Sequence, residues 1–124
     1  MTLFTAIESL EKEGWEWGRM DCCQFARRVL MKTKGIDVAK DKPEYSTRFG
    51  AAKILARSGG MELFLSSMLG DPVPRNLIRR GDVCMVDFPD GLAAGICVGH
   101  SAAFASKDGV VYIPMRKIIK GWNV

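Results

Sequence analysis

The stretch Trp15-Glu-Trp-Gly-Arg-Met-Asp-Cys-Cys-Gln-Phe-Ala26 decides the architecture expected of this chain. Its first half is typical of a tight loop, and its second half has the pattern of a helix that begins near Asp21. Asp21 suits the N-cap position because its carboxylate can accept hydrogen bonds from N–H groups of the first turn. Cys22 and Cys23 would then lie at a helix N-terminus, where unpaired N–H groups and the helix dipole favour the thiolate.

The predicted helix runs from about Asp21 to Thr33 and ends at Gly35. Its apolar residues follow helical spacing, which places Cys22 at the head of the buried face. Cys23 lies about 100° further round, at the edge of that face. We therefore expect Cys22, rather than Cys23, to be pressed against the element on which the helix packs.

The remaining pattern divides into helices followed by strands. Apolar spacing predicts a helix before the loop, a third helix capped by Ser46 or Thr47, and a short apolar fourth helix. Strands are predicted at 81–88, 93–98, 102–106 and 110–114. The expected fold is α+β, with N-terminal helices packed on a C-terminal antiparallel sheet of four to five strands in a single domain, 1–124.

Composition limits the partners and the chemistry. The chain has 124 residues, a formal charge of +4 and no apolar run long enough for a stable membrane insertion. Its start lacks the features of a signal peptide, and its basic residues are dispersed, so we expect synthesis in a cytoplasm and no nucleic-acid partner. Because no C-x-x-C pair occurs, zinc or iron–sulfur ligation is not expected, and we predict no metal and no cofactor. Cys84 and Cys97 fit small buried strand residues.

Two segments together resemble the NlpC-type cysteine peptidases of the papain-like superfamily. They are Trp17-Gly-x-x-Asp-Cys-Cys-x-Phe25 and, further on, the pair Gly81-Asp-Val83 and Gly95-Ile-Cys-Val-Gly99. The chain is more closely similar to small phage tail-region proteins related to that family. The resemblance implies a papain-like fold, with Cys22 at the nucleophile position and Trp17, Gly18, Asp21 and Cys23 forming the helix cap and site loop.

The same alignment places Ala93 where the family has its catalytic histidine. Alanine can neither accept the thiol proton nor return a proton to a leaving amine. The only histidine is His100, seven residues further along. The third polar position of the family falls near Phe104 or Ala105, which are both apolar. The catalytic candidates are therefore Cys22 and, only with a different strand register, His100.

These positions leave three hypotheses. The favoured one is a degenerate, non-catalytic NlpC-like component of a phage tail tip, located in the virion after synthesis in the bacterial host cytoplasm. Its expected partners are other phage tail proteins and peptidoglycan. The alternative is an active cysteine peptidase or amidase that cleaves peptidoglycan stem peptides during phage entry, and a third is a small partner-binding regulator. In a purely structural role, the thiols would fill space against the sheet at Gly95, where glycine would let the helix approach.

Overall fold

The computed structural model describes residues 1–124 as four helices followed by a five-stranded antiparallel sheet. The helices are α1 (Leu3–Glu11), α2 (Cys22–Lys34), α3 (Arg48–Ser58) and α4 (Met61–Leu69). The strands are β1 (Val83–Phe88), β2 (Gly91–Cys97), β3 (Ser101–Ser106), β4 (Gly109–Pro114) and β5 (Lys120–Trp122). Short 3₁₀ turns cover Arg75–Leu77 and Met115–Lys117. The predicted α+β arrangement is confirmed.

Local capping signals explain where α2 and α3 begin and end. The side chain of Asp21 accepts a hydrogen bond from Gln24 N at the start of α2, and Gly35 ends that helix with a φ of 68°. Thr47 caps α3 through its side chain, so the choice between Ser46 and Thr47 is settled in favour of Thr47. The longest helix has 13 residues, and none combines the length and hydropathy that a bilayer crossing requires.

The sheet has the order β4-β3-β2-β1-β5 and is open between β2 and β3 at one end. β1 pairs with β2 along the whole of β1, from Val83↔Ile96 to Phe88↔Gly91. β2 and β3 pair only at Ile96↔Ala103 and Cys97↔Ala102. The segment Gly91–Gly95 is therefore bonded to β1 alone, and the N-terminus of α2 approaches the sheet at this opening.

The core has two clusters, one on each face of the sheet. On the helical face, Phe25 and Val29 of α2 pack with Met85, Ile96 and Trp122. The opposite face holds a second buried cluster that includes Cys84, Cys97, Phe104 and Ile118. Cys84 and Cys97 are 0% and 2% exposed, which confirms them as small buried strand residues. Burial raises the pKa of the Cys84 thiol, so this residue is held as a neutral thiol.

The element that packs closely against Gly95 is β3, and not α2 as expected. A Cβ at this position would lie 2.4 Å from the carbonyl oxygen of Ala103 and 2.6 Å from the Phe104 ring. Side chains alternate between the two faces of a strand, so position 95 faces the same way as Cys97, away from α2. The expectation that Gly95 admits the helix is wrong. Its lack of a side chain makes room for Phe104 of β3.

Candidate active site

Asp21 organises the entrance to α2. Its side chain is 1% exposed, and its two oxygens accept hydrogen bonds from Gly18 N at 2.9 Å, Gln24 N at 2.9 Å and Tyr45 Oη at 2.6 Å. Burial, reinforced by the charge of Asp21, raises the pKa of Tyr45, which therefore stays a hydrogen-bond donor. With three donors bound, this carboxylate acts as a structural anchor rather than a base. Its predicted N-cap role is confirmed.

The loop before Asp21 depends on Gly18. This residue has a φ of 83°, and a Cβ here would lie 1.9 Å from the carbonyl oxygen of Tyr45. Only glycine accommodates both the left-handed backbone and this approach. Trp15 and Trp17 pack edge to face, with ring centroids 5.1 Å apart. Tyr45 was the site-loop residue that the sequence did not reveal, because nothing in the polar segment around it indicates a contact with Asp21.

Cys22 is the first residue of α2 and is half-buried, with contacts to both core clusters. Hydrogen bonding from the Cys23 thiol, helped by the backbone N–H of Ala94, lowers the pKa of Cys22 below its ordinary value. Burial and the negative charge of Asp21 oppose this shift. The net effect lowers the pKa of Cys22, which favours its thiolate form.

Cys23 is half-buried like Cys22. Its sulfur lies 3.8 Å from Met61 Sδ of α4. The pKa of Cys23 is raised well above its ordinary value, first by its hydrogen bond to Cys22 and then by burial. The expectation that the fold presses only Cys22 inward is therefore wrong, because α4 covers the side of α2 on which Cys23 lies.

A groove of about 500 Å³ runs past Cys22. Ala93 of β2 and Ala105 of β3 both line it, as do Trp15 and Trp17. The positions that the resemblance assigns to the nucleophile, the base and the third polar residue are therefore brought together by the fold. Two of these three positions are occupied by alanine. Charged side chains also line the groove, and they are Arg48, Asp90, Lys107 and Asp108.

His100 lies elsewhere. It is exposed in the turn between β2 and β3, where its carbonyl oxygen accepts a hydrogen bond from Met115 N. Ala93 lines the groove with Cys22, whereas His100 follows it by seven residues beyond the end of β2. The four residues that follow Ala94, up to Val98, already extend about 13 Å at ~3.3 Å per residue. His100 lines neither the groove nor the apolar pocket that adjoins it at Cys22. The structure does not bring the only imidazole to the thiol.

The acidic residues near the groove do not replace the imidazole. Asp90 is exposed in the β1–β2 turn and Asp108 in the β3–β4 turn. A carboxylate close to a thiol raises the thiol pKa and so opposes thiolate formation. The arrangement can hold a ligand against a half-buried sulfur, but it offers no proton acceptor suited to activating that sulfur.

Asp82, from the Gly81-Asp-Val83 motif, has a structural role. It is 2% exposed and accepts hydrogen bonds from Arg79 N at 2.7 Å, Asn123 Nδ2 at 2.7 Å and Val124 N at 3.0 Å. These bonds tie the C-terminal residues to the beginning of β1. The motif therefore holds the sheet together at a distance from the groove.

Comparison with known proteins supports the fold. The family model described as "Domain of unknown function (DUF6950)" matches residues 1–124. No curated protein matches the sequence. Among solved structures, the chain is similar to one titled "Crystal structure of NlpC/p60 domain of peptidoglycan hydrolase SagA". The TM-score is 0.58, with 16% identity over 100% of both chains. At this identity the likeness establishes an NlpC/p60-like fold and nothing further.

Proposed function

The chain belongs to the DUF6950 family of domains of unknown function, and we propose that it is a non-catalytic NlpC/p60-like domain. In this proposal it uses the Cys22 groove to bind peptidoglycan stem peptides without cleaving them. The domain is a component of a phage tail tip, where it contacts other tail proteins and the cell wall. It reaches the virion after synthesis in the bacterial host cytoplasm.

One observation carries the non-catalytic part of this proposal: the residues that line the groove at the two expected polar positions beside Cys22 are Ala93 and Ala105. Acyl transfer by a thiol needs a group that removes its proton and later protonates the leaving amine. A positioned general base contributes about 10²- to 10⁴-fold in rate. The Cys22 groove has no such base, while the single histidine lies in an exposed turn.

The binding part of the proposal is supported by the groove itself. It has about 500 Å³ of space, two tryptophans in its wall, and both basic and acidic side chains around it. Stem peptides carry amino and carboxylate groups on a short flexible chain, so a groove with both signs of charge complements them. The tail location is supported by the sequence resemblance of the Trp17–Phe25 segment to phage tail-region proteins.

A second candidate function is a cysteine peptidase or amidase that cleaves stem peptides. The lowered pKa of Cys22 and the adjacent backbone N–H of Ala94 favour it. In that case the Cys22 thiolate attacks the carbonyl carbon, and a backbone N–H at the start of α2 stabilises the oxyanion. The C–N bond then breaks, the amine leaves with a proton taken from water, and a second water hydrolyses the thioester.

Thiol reactivity and hydrolysis separate the two candidates. We expect the purified chain to release no products from purified stem peptides. We also expect that the rate at which iodoacetamide labels Cys22 at neutral pH is the same in His100→Ala as in the wild type. Cys22→Ser identifies the labelled residue, and Cys23→Ser shows whether the neighbouring thiol controls the rate. Stem-peptide cleavage that is lost in Cys22→Ser would establish the peptidase and overturn the non-catalytic proposal.

Binding and location are tested separately. Purified peptidoglycan should co-sediment the wild-type domain but not Trp17→Ala, which removes an aromatic wall of the groove, while Phe49→Ala at an exposed aromatic residue of α3 is the matched control. Thermal melting verifies that both variants are folded. Purified phage particles should contain the chain at a fixed ratio to other tail proteins, and its absence from particles would contradict the tail location.

A further inference from the structure

A second pocket lies next to the groove and shares Trp17, Cys22 and Leu92 with it. It occupies about 150 Å³ between α2, α3, α4 and the segment 38–45, and most of its wall is apolar. Its wall includes Leu30, Ile54, Leu55, Phe64 and Met68. No residue of α3 is fully buried, so this helix covers the pocket without filling it. An apolar cavity of about this size in another protein stays dry and accepts a six-carbon ring.

Lys42 is the charged group at this pocket that is available to a ligand. Its ammonium donates to Ser67 Oγ at 2.7 Å and lies 5.7 Å from the centre of the Phe64 ring. It forms no ion pair, and an ammonium group has three donors. Two donors therefore remain free at the edge of an apolar space.

The other charged groups in the pocket wall are already engaged. Arg27 donates two hydrogen bonds of 2.7 Å to the carboxylate of Asp37. The oxygens of Asp21 accept hydrogen bonds from two backbone N–H groups and the Tyr45 hydroxyl. The combination of an apolar space for about six carbons with one unpaired cation defines the chemistry of the ligand.

We propose that this pocket binds a monoanionic amphiphile with a short alkyl chain. The chain occupies the space between α2, α3 and α4, and the anionic head accepts hydrogen bonds from the Lys42 ammonium. Binding of this kind requires no reaction at the Cys22 sulfur. It assigns a second ligand site to the domain, which adjoins the groove at Trp17, Cys22 and Leu92.

Calorimetric titration of the purified chain with octanoate tests the proposal, with octylammonium and 1-octanol as cationic and neutral ligands of equal chain length. Octanoate should bind at least tenfold more tightly than octylammonium and should raise the melting temperature. Lys42→Met should weaken octanoate binding about tenfold and leave 1-octanol binding unchanged. Lys42→Arg should restore the preference for the anion.

A cavity-filling variant tests the location of the site. Ala51 lines the pocket and Ala52 faces solvent on the same helix. Ala51→Leu should abolish octanoate binding and raise the melting temperature, whereas Ala52→Leu should change neither. The proposal is overturned if octanoate does not bind, if octylammonium binds equally well, or if a folded Ala51→Leu variant binds octanoate like the wild type.

Discussion

Replacing Asp21 with alanine is expected to destabilise the fold by about 3–5 kcal/mol, because one buried carboxylate serves three donors. Loss of the helix N-cap costs about 1 kcal/mol. Gly18 N–H and the Tyr45 hydroxyl also lose their acceptor, at about 1–2 kcal/mol each when they stay buried. For a domain of this size the melting temperature should fall by roughly 12–20 °C.

Urea unfolding followed by far-UV circular dichroism measures this loss, and Tyr45→Phe is the matched control. That variant removes one donor and leaves Asp21 with two, so the free energy of unfolding should fall by only about 1 kcal/mol. The double variant should be more stable than additivity predicts by about 1 kcal/mol, because no orphaned hydroxyl remains. Additive losses, or a loss below about 1 kcal/mol for Asp21→Ala, would refute the role assigned to this carboxylate.

Two further perturbations test the packing and the surface charges. Gly95→Ala should destabilise the domain by about 1–3 kcal/mol in urea unfolding, because its methyl group would overlap the Phe104 ring; an unchanged midpoint would contradict this contact. The Arg28 guanidinium lowers the pKa of Glu13 from its ordinary value of 4.5, so the folded state binds fewer protons than the unfolded state. The resulting stability is present above the unfolded pKa and is lost as pH falls through the lower folded pKa. Unfolding midpoints below about pH 5 should therefore depend less on pH in Arg28→Gln than in the wild type, and equal slopes would count against the ion pair.

Most of the secondary structure could be predicted because its signals are local. Asp21 and Gly35 mark the two ends of α2, and the helix begins and ends within a residue or two of the expected positions. The predicted strands were found with similar boundaries, and β5 (Lys120–Trp122) completes the sheet. Such signals are capping residues, turn glycines and the period of apolar residues. They act over a few positions, so they can be recognised from the sequence without knowledge of distant contacts.

The candidate site was only partly predictable. The sequence placed two thiols at a helix N-terminus and an alanine at the motif histidine position. It did not indicate that Tyr45 would donate to Asp21, or that Cys23 would contact Met61. These pairs are separated by 24 and 38 residues, and neither carries a local spacing signal.

By itself, the sequence determined the order of the elements, the cap of α2 and the residues available for chemistry, including a single histidine. Only the tertiary structure decided which of these residues meet. It placed Cys22, Ala93 and Ala105 around one groove, left His100 in a distant turn, and opened an apolar pocket under α3 beside Lys42. The physical reason is that local propensities shape each element, whereas the neighbours of a side chain depend on how helices and strands pack together.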